Sequence, residues 1–245
     1  MLHKTKGLVL RTVKYGETSL VVSIFTELFG MQSYLVNGVR TSTTKNPYRG
    51  NLFQPATILE MIVYHNELKN LQRIKEFKYN VLYENIYRNV HKNAVALFMT
   101  ELIQKCLKQT ESNIHLYEFL EDAFIHLDKA SAEVTANYSL FFMLHFAHFF
   151  GFRIQDDHAA DKTFLDLQEG FFVEEKPMHP YFMDGKFSEV TSQLLKAQIP
   201  NEIAELVLSR EQREFLLDAY VRFYAYHLQD FGQMRSLPVL HSLFV

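Results

Sequence analysis

Over the first 80 residues, apolar side chains recur at every second position in short runs cut by turn signals, the pattern of strands with one buried face. Residues 7–13 (GLVLRTV) are rich in aliphatic and β-branched residues. Lys14-Tyr15-Gly16-Glu17 then reads as a turn, and residues 19–26 (SLVVSIFT) set Leu20, Val22 and Ile24 on one face. A second turn falls at Phe29-Gly30, and residues 31–39 continue the meander. Residues 57–64 alternate Leu59, Met61 and Val63 with Ile58, Glu60 and Ile62, and residues 71–77 mix apolar with basic side chains. Five strands in so short a span leave edges that need closure. A five-stranded Greek-key barrel of the OB type is the economical solution, with an SH3-like barrel as the alternative.

Beyond residue 80 the period lengthens to that of a helix. Tyr83, Ile86, Tyr87, Val90, Ala94, Leu97 and Phe98 predict a long helix from about residue 83 to residue 107. Ser112 is placed to cap a second, with Leu116, Phe119, Leu120, Ala123 and Leu127 as its buried stripe. Residues 133–151 predict a third helix, apolar on nearly every side, as befits the centre of a bundle, with Gly151 at its C-terminal end. Residues 152–187 lose all period, with Gly170, Pro177, Pro180 and Gly185 as breakers and one strand-like stretch at residues 170–174 (GFFVE). Helical pattern resumes near Ser188 and again after Asn201, and Ser209-Arg210-Glu211-Gln212 fits a capping box. The expected class is α+β, with an OB-type barrel over residues 1–80 and an all-α helical domain over residues 81–245 that includes a loop-rich region at 152–187.

Charge adds a division to this picture. Residues 1–80 hold 11 Lys and Arg against 5 Asp and Glu, whereas the rest holds 14 against 23, so a net of +6 is followed by −9. A basic module joined to an acidic one predicts that the first meets a polyanion. The single cysteine, Cys106, precludes an intrachain disulfide or a multi-cysteine zinc site and fits a reducing, cytoplasmic setting. The opening MLHKTKGLVL has too short an apolar run for a signal peptide. Residues 138–150 form the most apolar stretch, short of the roughly 20 residues that a membrane span needs.

The polar loop over residues 40–51, with Arg40, Lys45 and Arg49, the ring of Tyr48 and several hydroxyls, offers charge for phosphate and a surface for a base. Signals for catalysis are missing: there is no phosphate-binding glycine loop and no nucleophile elbow, and Cys106 sits in a helical apolar pattern that suits core packing. His145 and His148, with Asp156, Asp157, His158 and His179, form the one set with a hint of metal-ligand spacing, which keeps open a metal-dependent hydrolase. A protein-binding scaffold is a further alternative. The primary expectation is a protein without catalysis, cofactor or metal.

Lys6-Gly7-Leu8-Val9-Leu10, Tyr15-Gly16-Glu17-Thr18-Ser19-Leu20-Val21-Val22, Phe25-Thr26, Gly30 and Gly38-Val39-Arg40, in that order, resemble the opening of bacterial RecO recombination mediators. The ending from Phe231 to Leu240 resembles that of the Bacteroidetes-like branch. This resemblance implies an OB-fold before a helical domain, and binding of single- and double-stranded DNA. It also implies annealing of complementary strands and work with RecR in loading RecA on DNA coated by single-strand-binding protein, whose acidic C-terminal tail such proteins capture. Many relatives carry a four-cysteine zinc module in the stretch matching residues 152–187, and this chain has no cysteine there. Lys4, Lys6, Arg11, Lys14, Arg40, Lys45, Tyr48 and Arg49 are the expected DNA contacts, with Tyr15 and Tyr34 as further stacking candidates. No membrane role is expected.

Overall fold

Five strands carry the period-2 pattern: β1 (Leu2–Tyr15), β2 (Ser19–Thr26), β3 (Gly30–Val36), β4 (Ile58–Tyr64) and β5 (Gln72–Tyr79). In the computed structural model, which describes residues 1–40, 50–107 and 111–244, they close into a barrel in the order β1-β2-β3-β5-β4. Every pairing is antiparallel except β3 with β5, which is parallel and confined to Tyr34↔Gln72 and Leu35↔Arg73. This is the OB-type closure.

Inward residues are those that the alternation placed there. Val9, Val22, Ile24, Met61 and Val63 fill the barrel, and Phe53, on a 3-10 turn at Gly50–Phe53, joins the same buried cluster. Gly7 faces inward where a Cβ would come within 2.5 Å of Ile24 Cγ2 and 2.6 Å of Met61 Cε, so only a residue without a side chain fits between those two. Tyr34 is wholly buried, and burial pushes its hydroxyl far above the usual tyrosine range. It is therefore a core residue and cannot stack on a base.

The chain divides into two compact units: residues 1–89 with 100–128, and residues 90–99 with 129–245. Helix α1 (Val90–Cys106) has residues in both. In the first unit, α2 (Ile114–Lys129) packs Tyr117 against Phe25, ring centroids 6.2 Å apart. Outward-facing Leu8 and Leu10 are covered too, each 1% exposed. The cap expected of Ser112 is supplied one residue on, by the Asn113 side chain accepting from the Leu116 N–H at 3.0 Å.

One boundary departs from the sequence expectation. Residues 83–89 are not helical; the buried Asp128 carboxylate accepts the backbone N–H groups of Glu84, Asn85 and Ile86 at 2.8 to 2.9 Å and fixes the course of this segment. The hydroxyls of Tyr83 and Tyr87 donate to the carbonyls of Ala56 and Pro55 and tie the segment to the barrel.

In the second unit α3 (Ala132–Phe146) is buried almost all round, as its composition requires, and continues as a 3-10 turn to Gly151 at φ 77°. Helices α4 (Gly185–Lys196), α5 (Arg210–His227) and α6 (Leu237–Leu243) follow. Ser209 and Gln212 close the expected capping box at the start of α5. Residues 152–187 hold more order than expected. Besides the foreseen strand, now β7 (Phe171–Val173), they supply β6 (Phe164–Asp166) and β8 (Phe182–Met183), in a sheet with β6 at its centre. Two- and three-residue strands carry too little period to be read locally. Among the described residues, no helix is long and apolar enough to cross a membrane.

Candidate nucleic-acid interface

The expected cations of β1 do not form one row, and the reason is a bulge. Register shifts between Val9 and Arg11, so the outward parity changes from Lys4 and Lys6 before it to Arg11, Val13 and Tyr15 after it. The two halves face different neighbours.

Before the bulge, acids meet the lysines. Lys6 lies in register with Glu60, and Glu60 with Lys78. Glu60 accepts Lys78 at 3.0 Å and Lys4 at 3.2 Å, and these two partners hold its carboxyl below the ordinary glutamate range. Lys6 reaches Glu121 of α2 at 2.9 Å, and that hydrogen bond raises its ammonium pKa. Lys75 pairs with Glu76 at 3.4 Å. On this side every one of these four lysines has a carboxylate partner, with Glu60 shared between two.

After the bulge the surface is different in kind. Three outward rows run across the sheet by register: Arg11–Ser23–Ser33, Val13–Val21–Leu35–Arg73, and Tyr15–Ser19, with Ser19 Oγ bonded to Asn37 at 3.1 Å. None of these rows contains a carboxylate, and Glu17 stands in the turn beyond them. Val13 is 45% and Tyr15 58% exposed, so aliphatic and aromatic surface lies between the cations. Lys14 follows the inward parity, opposite Leu20, yet is exposed at the barrel mouth. Arg40 donates from Nη1 to the Gly16 carbonyl at 2.8 Å, and its N–H bonds the Thr18 carbonyl at 3.1 Å. Gly16, at φ 58°, adopts the left-handed turn conformation that glycine accepts without strain. Arg11, Lys14 and Arg73 have no ion-pair partner among the described residues. Lys45, Tyr48 and Arg49 lie outside the described residues.

Arg73 was not among the expected contacts. The signal was present in the alternation of Gln72, Arg73 and Ile74, with Gln72 buried, Ile74 half-buried and Arg73 exposed. What the sequence lacked was the parallel pairing that carries Arg73 beside Leu35.

The candidate metal ligands do not converge. His145 Nε2 lies 3.3 Å from the Leu194 carbonyl, and burial lowers the pKa of both His145 and His148. Asp156 accepts from Ser192, Asp157 from Lys162 and the Phe172 N–H, His158 sets its ring edge-on to Phe172, and His179 pairs with Asp166. Among the described residues no group of three or more His, Cys, Asp or Glu could hold a metal ion. The hydrolase alternative therefore has no site in these residues.

Residues 1–80 match the family described as Recombination protein O N terminal, and residues 88–238 match Recombination protein O C terminal. Full-length relatives include the DNA repair protein RecO of Phocaeicola vulgatus, 31% identical over 245 residues, and that of Bacteroides fragilis, 31% identical over 248. The RecO of Azobacteroides pseudotrichonymphae is 28% identical over 244 residues. Each match covers 100% of both chains. With a basic five-stranded barrel, a helical remainder and both family regions in order, the chain belongs to the RecO (recombination protein O) family.

Proposed function

We propose that this protein is a recombination mediator in DNA repair that binds single- and double-stranded DNA along the outer rows of β1, β2 and β3. The observation that carries this reading is the row set Arg11–Ser23–Ser33 and Val13–Val21–Leu35–Arg73, extended by Tyr15 and Arg40, where cations, hydroxyls and apolar side chains adjoin without an acid in the rows. Each phosphate neutralised there releases a condensed counterion, and an exposed ring adds roughly 1–3 kcal/mol of stacking without reading sequence. Lys4 and Lys6 contribute less, because Glu60 and Glu121 already balance them.

Annealing on such a surface needs no bond chemistry. Cations lower the repulsion between two strands, and pairing then completes itself. Residues 1–80 act as the DNA-binding domain and residues 81–245 as the helical domain, with residues 152–187 in place of a zinc module. The protein works without catalysis in the cytoplasm. It assists RecR in placing RecA on DNA coated by single-strand-binding protein, whose acidic C-terminal tail is a further partner.

The test is an annealing assay with two complementary, fluorescently labelled oligonucleotides. The protein accelerates pairing at low salt and loses this effect as salt rises. Unchanged pairing, together with no anisotropy change on either strand, would rule the reading out.

A further inference from the structure

We propose that the barrel seats one unpaired nucleobase in a cleft beside the outer rows and so tells single strands from duplex, an inference that rests on the reading of those rows as the DNA track. The cleft has a topological cause. β3 pairs with β5 only at Tyr34↔Gln72 and Leu35↔Arg73, so the first half of β3 and the connection from β4 to β5 diverge. A cavity of about 490 Å3 opens between them, within the range of small-ligand sites.

One wall of this cavity is held in place by its own hydrogen bonds. Gln72, 3% exposed, accepts the Asn66 N–H at 3.0 Å and donates to the carbonyls of Asn66 and Lys69 at 2.8 and 2.6 Å. The connection is thereby ordered before a ligand arrives, which lowers the cost of binding. Phe29 and His65 also line the cavity, and their rings stack with centroids 3.9 Å apart and planes at 12°.

Position and charge together identify the occupant. Ser33 lines the cavity and also stands in the row Arg11–Ser23–Ser33, while Gln72 immediately precedes Arg73 of the next row. A strand whose phosphates follow the rows therefore passes the cavity. Its charged lining residues are Lys69 and Glu67, of opposite sign, so a phosphate gains less there than on the rows. What the lining offers is neutral hydrogen bonding. The Ser33 hydroxyl, the Asn70 amide and Gln32 Oε1 have no hydrogen-bond partner among the described residues, while Gln32 Nε2 donates to the Phe29 carbonyl at 2.8 Å. Donors and acceptors beside stacked rings suit the edge and the face of a base. To enter, that base must leave its stack and its pairing partner, which costs far more in duplex than in a single strand.

A short oligothymidylate carrying one iododeoxyuridine, irradiated with the full chain and mapped by mass spectrometry, should give adducts on Phe29 or His65. The same base within duplex should give none there. Asn70→Ala with Gln32→Ala should weaken single-strand binding about tenfold at unchanged salt slope, and duplex binding by less than about twofold. Single-strand binding with adducts confined to Tyr15 and other residues of the rows would overturn the cleft while leaving the rows as the DNA track. Equal yields at Phe29 and His65 from duplex, or unchanged single-strand affinity in the folded double variant, would overturn it likewise. No binding of either DNA would overturn both readings. Cross-linking of the wild-type chain alone decides the matter if the double variant fails to fold.

Discussion

Lys6 Nζ lies 2.9 Å from Glu121 Oε2, joining β1 to α2 across 115 positions of sequence within one compact unit. The pair uses for tertiary structure a cation that composition alone would count toward DNA. Lys6→Ala is therefore expected to cost under about 1 kcal/mol of stability, the scale of a partly exposed ion pair, and to leave oligonucleotide affinity within about twofold. Urea unfolding and anisotropy titration on the same preparation separate these effects. A tenfold loss of affinity at unchanged stability would put Lys6 in the interface.

Asp128 offers a sharper stability prediction. It is 6% exposed and accepts three backbone N–H groups from residues 84–86, bonds to a charged acceptor that together make truncation costly. Asp128→Ala should destabilise the protein by about 3 kcal/mol or more, and Asp128→Asn should recover part of that. Urea midpoints equal to wild type would mean that residues 84–86 hold their course without the carboxylate.

At Gly7 the constraint is space. A methyl group there would meet Ile24 and Met61 at separations that real Cβ atoms do not show, and overpacking of this kind costs about 1–3 kcal/mol. Gly7→Ala should lower the unfolding free energy from urea titration by that amount, and Gly7→Ala combined with Ile24→Ala, which removes the clashing Cγ2, should cost less than the sum of the two single losses.

The second unit has a pH dependence of definite sign. Burial lowers the pKa of His145, His148 and His227 below the ordinary histidine value of 6.5. As pH falls through 6.5 the unfolded chain takes up protons at these rings before the folded one does, so stability declines. Tm should be level above about pH 7 and fall steadily below 6.5, with a shallower fall in His145→Gln. A Tm that rises on acidification through this range would refute the assignment.

The barrel was legible because its strands are long enough for the period to show and its turns carry Gly16 and Gly30. The capping box at Ser209 was equally plain, being a signal contained in four residues. What could not be read depends on distant partners. The non-helical course of residues 83–89 is fixed by the distant Asp128, and β6 and β8 exist only through pairing with each other and, for β6, with β7. For the interface, basic character was visible but its distribution was not. A bulge at Leu10 turns one row of cations into two, and Glu60 and Glu121 neutralise the first while the second keeps its charge.

The claim on which the account turns is that DNA lies on the rows after the bulge. The slope of log K against log salt for a labelled single strand tests it, because each lost phosphate contact removes about 0.7 from its magnitude. Arg11→Ala, Arg40→Ala and Arg73→Ala combined should reduce the slope by about 2, whereas Lys4→Ala with Lys6→Ala should change it by less than about 0.7. An unchanged slope in the triple variant, or the larger loss in the lysine pair, would contradict the placement.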